Sequence, residues 1–211
     1  MKSQVSSDKF WDKVADRYAK MSVSDMATYE KKLTETQSFF EPDMHILEFG
    51  CGTGATAILH ATYVQHIDAI DISEKMLEIG RSKAKEAGIE NIEFTHGDLE
   101  AFNAESASLD AVLALNVLHL LANRQATIAE VARILKPGGI FVSSTICLGH
   151  SYLRFIKLAA ALGKRLGLMP NISILTEAKL ENEITNAGFA IERQWHHGIN
   201  DIRVFIIARK I

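Results

Sequence analysis

A chain of 211 residues, 47% hydrophobic and 23% charged, has the balance of an ordinary globular protein and enough length for one domain with a sizeable core. Its formal net charge of −3 gives no electrostatic footprint for DNA or RNA, so nucleic acid is not an expected partner. Cys51 and Cys147 stand far apart with no C-x-x-C and no histidine pair at metal spacing; neither a disulfide framework nor a metal site is expected, and with no signal-peptide core and no transmembrane-length apolar run the expected compartment is the cytoplasm.

Residues 8–20 place Phe10, Trp11, Val14 and Tyr18 on one helical face with Ser7 as N-cap, which predicts an amphipathic helix outside the central sheet. A second helix over 27–40 ends before Glu41-Pro42, because the residue preceding a proline is pushed out of the helical region. His45-Ile46-Leu47-Glu48-Phe49 reads as a short buried strand. Gly50, Gly52 and Gly54 then force a tight turn into a helix over 53–62, whose N-terminal amides would sit over a ligand. Residues 66–71 form a second strand ending in Asp71, and Ser73 caps a helix that runs to Ala87 and is closed by Gly88.

Residues 92–95 give a third strand followed by Gly97-Asp98-Leu99, and the near-continuous apolar run 109–115 marks a central strand buried on both faces. That strand ends at Asn116-Val117-Leu118-His119, beyond the carboxyl edge of the sheet, where open α/β folds place their ligands. A helix over 127–135, a turn at Lys136-Pro137-Gly138-Gly139 and a fifth strand over 140–145 follow. Residues 151–169 are helical and apolar but carry Arg154, Lys157, Lys164 and Arg165, which excludes an ordinary membrane span. A helix from Thr176-Glu177 through Ala187 then precedes strands over 189–196 and 202–208, joined by a turn at 198–201 short enough to demand an antiparallel pair.

Two ligand classes fit these residues. Gly50-x-Gly52-x-x-Ala55 matches the dinucleotide fingerprint, and Asp71, 17 positions after Gly54, stands near the spacing at which an acid at a strand tip accepts bonds from ribose hydroxyls. Glu48-Phe49-Gly50-Cys51-Gly52-Thr53-Gly54, however, resembles the first motif of class I methyltransferases that use S-adenosylmethionine. Arg133-Ile134-Leu135-Lys136-Pro137-Gly138-Gly139 and the terminal antiparallel pair fall where that family has them, and Phe10-Trp11-Asp12-x-x-Ala15-x-x-Tyr18 resembles the first helix of its ubiquinone/menaquinone-biosynthesis-like group.

The resemblance implies a three-layer Rossmann-like α/β sandwich over 1–211, with a mostly parallel seven-stranded sheet ending in an antiparallel hairpin. It further implies helices 1–41 capping the cofactor site and a lid at 150–172 between strands five and six. For S-adenosyl-L-methionine it points to Tyr18, Glu48, Gly50, Cys51, Gly52, Gly54, Asp71, Ile72, Met76, Asp98, Leu99 and Asn116. His119, His150 and Tyr152 are the candidate general bases, with His196 and His197 weaker ones and His45, His60, His66 and His96 structural or solvated. The reaction implied is in-line methyl transfer to a small, rather hydrophobic acceptor, with interfacial contact through the lid as a further expectation. Charge favours this cofactor, because its sulfonium and ammonium suit carboxylates at Glu48, Asp71 and Asp98, whereas a pyrophosphate beside Glu48 would be repelled. An NAD-dependent oxidoreductase and a non-catalytic cofactor-binding subunit are the rival readings.

Overall fold

The computed structural model describes residues 5–149, 175–197 and 202–211. The lid expected at 150–172, with His150 and Tyr152, and the turn expected at 198–201 lie outside these residues.

Its strands are β1 (His45–Phe49), β2 (His66–Asp71), β3 (Ile92–His96), β4 (Leu109–Leu115), β5 (Leu135–Ile146), β6 (Phe189–His197) and β7 (Arg203–Lys210). They form one seven-stranded sheet in the order β3-β2-β1-β4-β5-β7-β6. The pairs from β3 to β5 are parallel, and β7 runs antiparallel to both β5 and β6. β4 is buried almost throughout, because apolar side chains on both of its faces meet helices rather than water.

Helices cover both faces. α3 (Ala55–His60) and α4 (Glu74–Glu86) pack Ala57 and Leu77 against Ile46, Ile67, Leu113 and Phe205. On the other face α6 (Arg124–Ile134) and α7 (Glu177–Asn186) pack Ile128, Val131, Leu180 and Ile184 against Leu47, Val112, Phe141 and Ile206. Strand alternation thus sends odd and even positions into two separate cores, giving the expected three-layer α/β sandwich.

Before the sheet, α1 (Val5–Ala19) packs on α4, where Asp12 accepts a 2.6 Å bond from the Ser73 hydroxyl. α2 (Met26–Gln37) is tied to the far edge of the sheet, its Glu35 accepting a 2.8 Å bond from the Trp195 indole. Among the described residues no helix is long and apolar enough to cross a membrane.

Three boundaries differ from expectation. α1 begins at Val5, so Ser7 lies within it instead of capping it. α3 begins at Ala55, because Gly54 holds φ +67° and serves as its N-cap. The expected turn Lys136-Pro137-Gly138-Gly139 is absorbed into β5, whose pairing with β4 jumps from Leu109↔Leu135 to Ala111↔Ile140. The carbonyls freed by this bulge find other donors: Arg209 reaches the Gly138 oxygen at 2.8 Å and Lys210 the Leu135 oxygen at 2.7 Å.

α6 and α7 are joined by a buried ion pair, in which Arg124 donates to both oxygens of Glu183 at 2.5 and 2.9 Å. Both side chains are under a tenth exposed, so removing one leaves the other charged without water. Glu183→Ala is therefore expected to lower the unfolding free energy by about 3–5 kcal/mol, measured by urea denaturation.

Candidate functional site

Between the tips of β1, β2 and β4 and the first helix lies a cavity of about 760 Å³. Its floor is the turn after β1, where Gly50, Gly52 and Gly54 all hold left-handed φ angles between +55° and +67°. The three glycines serve different ends. A Cβ on Gly50 would stand 2.7 Å from Val117, and one on Gly54 2.6 Å from Phe94, so these two are small for packing. At Gly52 the nearest obstacle is Tyr18, 3.8 Å away, so its backbone lies open to the cavity.

Asp71, at the tip of β2, fixes this turn: Oδ2 accepts the Gly52 N–H at 2.8 Å and Oδ1 the Ser73 N–H at 2.9 Å. Burial pushes its carboxyl above the usual range, opposed by these backbone bonds. A carboxylate has further lone pairs, and Asp71 still lines the cavity. Asp98 lines it too, while capping α5 (Leu99–Phe102) through the Ala101 N–H at 2.9 Å. Asn116, just past β4, adopts φ +60°, a conformation asparagine tolerates better than most residues, and its N–H donates to the Ser144 carbonyl at 2.7 Å.

Of the residues expected at the cofactor, Tyr18, Gly50, Gly52, Asp71, Ile72, Met76, Asp98, Leu99 and Asn116 line this cavity. The structure does not bring Cys51, Gly54 or Glu48 to its lining. Cys51 is turned into the core, where its N–H holds the Ile70 carbonyl at 3.1 Å. Glu48 lies behind the turn, 3% exposed, with Oε2 lacking a hydrogen-bond partner. Burial and the nearby Asp71 raise its carboxyl to about 8, and it in turn helps to raise the Tyr18 phenol.

Trp11, edge-on to Tyr18, joins the lining from the aromatic face of α1, a signal present in the sequence. Leu120 and Leu121 join it beside Asn116, while Glu130, which nothing in the sequence marked, and Arg133, quoted above only as part of a turn phrase, come from α6.

His119 is not part of the lining. It sits 6% exposed in the 3-10 turn Leu118–Leu120, its Nδ1 unpartnered, and burial aided by Arg203 pushes it down to about 4. His197, at the end of β6, is 7% exposed with neither ring nitrogen partnered, and burial, then Lys32 and Arg203, lower it likewise to about 4. Ser144 Oγ is buried and unpartnered as well. Alternation along the strands sends Glu48, Ser144, Arg203 and His197 to one face, the face that α2 covers with Tyr29 and Lys32. Both histidines are therefore neutral near pH 7. Lys32 and Arg203 carried no signal in the sequence; the docking of α2 on the sheet brings the first and the antiparallel order of the last strands the second. His60, 1% exposed and packed edge-on to Phe40, is a core residue as expected.

The sequence profile of the methyltransferase domain family matches residues 46–139. The chain is 33% identical over 97 residues to the uncharacterized methyltransferase YcgJ of Bacillus subtilis, covering 46% of this chain and 38% of that protein. It is 33% identical over 158 residues to the demethylmenaquinone methyltransferase of Symbiobacterium thermophilum, covering 71% and 61%. It thus spans less than two thirds of the length of these curated relatives. The crystal structure of YcgJ superposes with a TM-score of 0.70 at 17% identity over 86% of this chain and 98% of that one. The [4+2]-cyclase SpnF superposes with a TM-score of 0.68 at 19% identity over 85% and 80%. These structural likenesses show the fold.

Glu48 makes stability depend on pH. Its folded value of about 8 stands above its ordinary 4.5, so the folded chain keeps a proton that the unfolded chain releases. Its stabilisation is complete below pH 4.5 and is lost as pH rises through 8. Glu48→Gln keeps the shape without the charge. Urea denaturation is expected to find it close to the native chain at pH 5, and more stable by on the order of 3 kcal/mol at pH 8.5.

Proposed function

We propose, from this chain's membership of the class I S-adenosylmethionine-dependent methyltransferase family, that its cavity binds S-adenosylmethionine and that it transfers the methyl group to a small, rather hydrophobic acceptor. The observation that carries this reading is that Asp71 and Asp98 line a cavity floored by a glycine turn whose backbone lies open at Gly52, with Glu48 buried behind that turn. The donor set fits that cofactor. Asp71 has lone pairs for ribose hydroxyls, and Asp98 can accept from an exocyclic amine. Glu48, buried and half unpartnered, is the natural counter-charge for a cation. A pyrophosphate would meet Asp71 and Asp98 in this lining, with Glu48 close behind the turn, which argues against a dinucleotide.

When bound, S-adenosylmethionine supplies a methyl group already activated by its sulfonium. The chain's work is then to position and to exclude water. Trp11 and Tyr18 close the cavity from α1, and we assign helices 1–41 this capping role. Leu115, Val117, Leu120 and Leu121 give the β4 side an apolar wall suited to an acceptor with a hydrophobic body. The demethylmenaquinone methyltransferase likeness supports a quinone-like acceptor, and two free cysteines suit action in the reducing cytoplasm.

The test is isothermal titration with S-adenosylhomocysteine and, separately, NADH. S-adenosylhomocysteine is expected to bind alone, at least about tenfold more weakly to Asp71→Ala, which loses both the ligand bonds and the Gly52 anchor. Because a cation beside Glu48 favours its charged form, binding at pH 7 should also release protons, seen as a heat that varies with the buffer's ionisation enthalpy. Binding of NADH instead would overturn the cofactor, and binding without turnover on any quinol-like or phenolic acceptor would leave a non-catalytic binder.

A further inference from the structure

At the end of the sheet opposite the cavity, three metal-ligating side chains meet that are far apart in sequence. His45 opens β1 and His66 opens β2, and the parallel register sets them side by side. Asp68, two residues after His66, returns to the same face of β2. Its Oδ2 lies 2.7 Å from His45 Nε2 and its Oδ1 3.4 Å from His66 Nε2, so one carboxylate faces both imidazoles. The rings stand edge to face with centroids 4.8 Å apart.

We propose that His45, His66 and Asp68 form a binding site for one late first-row divalent cation, zinc or a close relative, unconnected with the methyl-transfer site. Two imidazole nitrogens and a carboxylate are the donor types such ions take, with water completing the shell. All three ligand atoms lie within 4.8 Å of one another. In a tetrahedral shell, ligands about 2.1 Å from the ion stand about 3.4 Å apart, so the widest pair closes by at most about 1.4 Å. Asp68 is held, its side chain only 10% exposed, whereas those of His45 and His66 are 42% and 34% exposed and can turn. The ion can therefore enter from solvent and find its carboxylate in place. In the bound state both imidazoles carry their proton on Nδ1 and present Nε2 to the metal. The site's reach is local: it clips the first residues of β1 and β2 together.

Isothermal titration of the intact chain with Zn2+ is expected to show one equivalent bound, with a rise in the thermal unfolding midpoint. His45→Gln, His66→Gln and Asp68→Asn should each weaken binding by at least about tenfold, the range in which loss of a metal-site partner falls. Absence of stoichiometric binding by the intact chain would overturn the proposal, as would undiminished binding by the His45→Gln/His66→Gln double variant. A readout free of any folding effect comes from Cu2+ bound to the native chain, whose electron spin echo modulation should report two imidazoles; one or none would also overturn it.

Discussion

The carboxylate of Asp71 is the joint on which the ligand end of this fold depends. Gly52 holds a left-handed backbone conformation in a turn that the Gly54 N–H closes on the Cys51 carbonyl, and its own N–H is left to a side-chain acceptor. Asp71 supplies the acceptor, and with its other oxygen it satisfies Ser73 at the start of α4. One side chain thus ties the turn after β1 to the tip of β2 and to the helix that follows. Ser73 in turn holds Asp12 of α1, so the chain of bonds runs from the glycine turn out to the helix that carries Trp11 and Tyr18. Position in the sheet makes this possible: β1 and β2 are neighbours, and their parallel direction brings both carboxyl ends to the same edge.

This arrangement is expensive in the absence of a ligand. Glu48 and Asp71 are both buried, Asp71 raises the cost of ionising Glu48, and one oxygen of Glu48 has no hydrogen-bond partner among the described residues. A core built for stability alone would place an apolar residue at position 48, between Leu47 and Phe49. Keeping an acid there makes physical sense where a positive charge arrives to meet it.

Much of this was legible in the sequence because it follows from local rules. Alternation and apolar runs gave the strands, Ser73 and Thr176 announced their caps, and both caps are made in the structure. The glycine motif located the turn, yet it could not say which glycine faces a ligand, since that depends on Val117 and Phe94 arriving from elsewhere in the chain. His119 was legible as a strand-tip residue and not as one turned away from the cavity. The Arg124–Glu183 pair, 59 residues apart, and the meeting of His45 with His66 exist only through packing and register. No window along the sequence contains them.

The buried polar groups that the glycine turn does not account for lie toward β5, β7 and β6. Fold alone does not choose a chemistry, as the likeness to a [4+2]-cyclase makes plain. Around the turn the donors are those an adenosine ligand requires. Toward the last strands the polar groups are His119, Ser144 and His197, buried and without a partner among the described residues, with Arg203 acting on both histidines and Lys32 on His197. Buried polar atoms without partners are rare because each costs stability, and here several fall on the edge of one sheet within reach of one helix. Leu115, Val117, Leu120 and Leu121 form the apolar wall of the cavity itself, which these buried groups do not line.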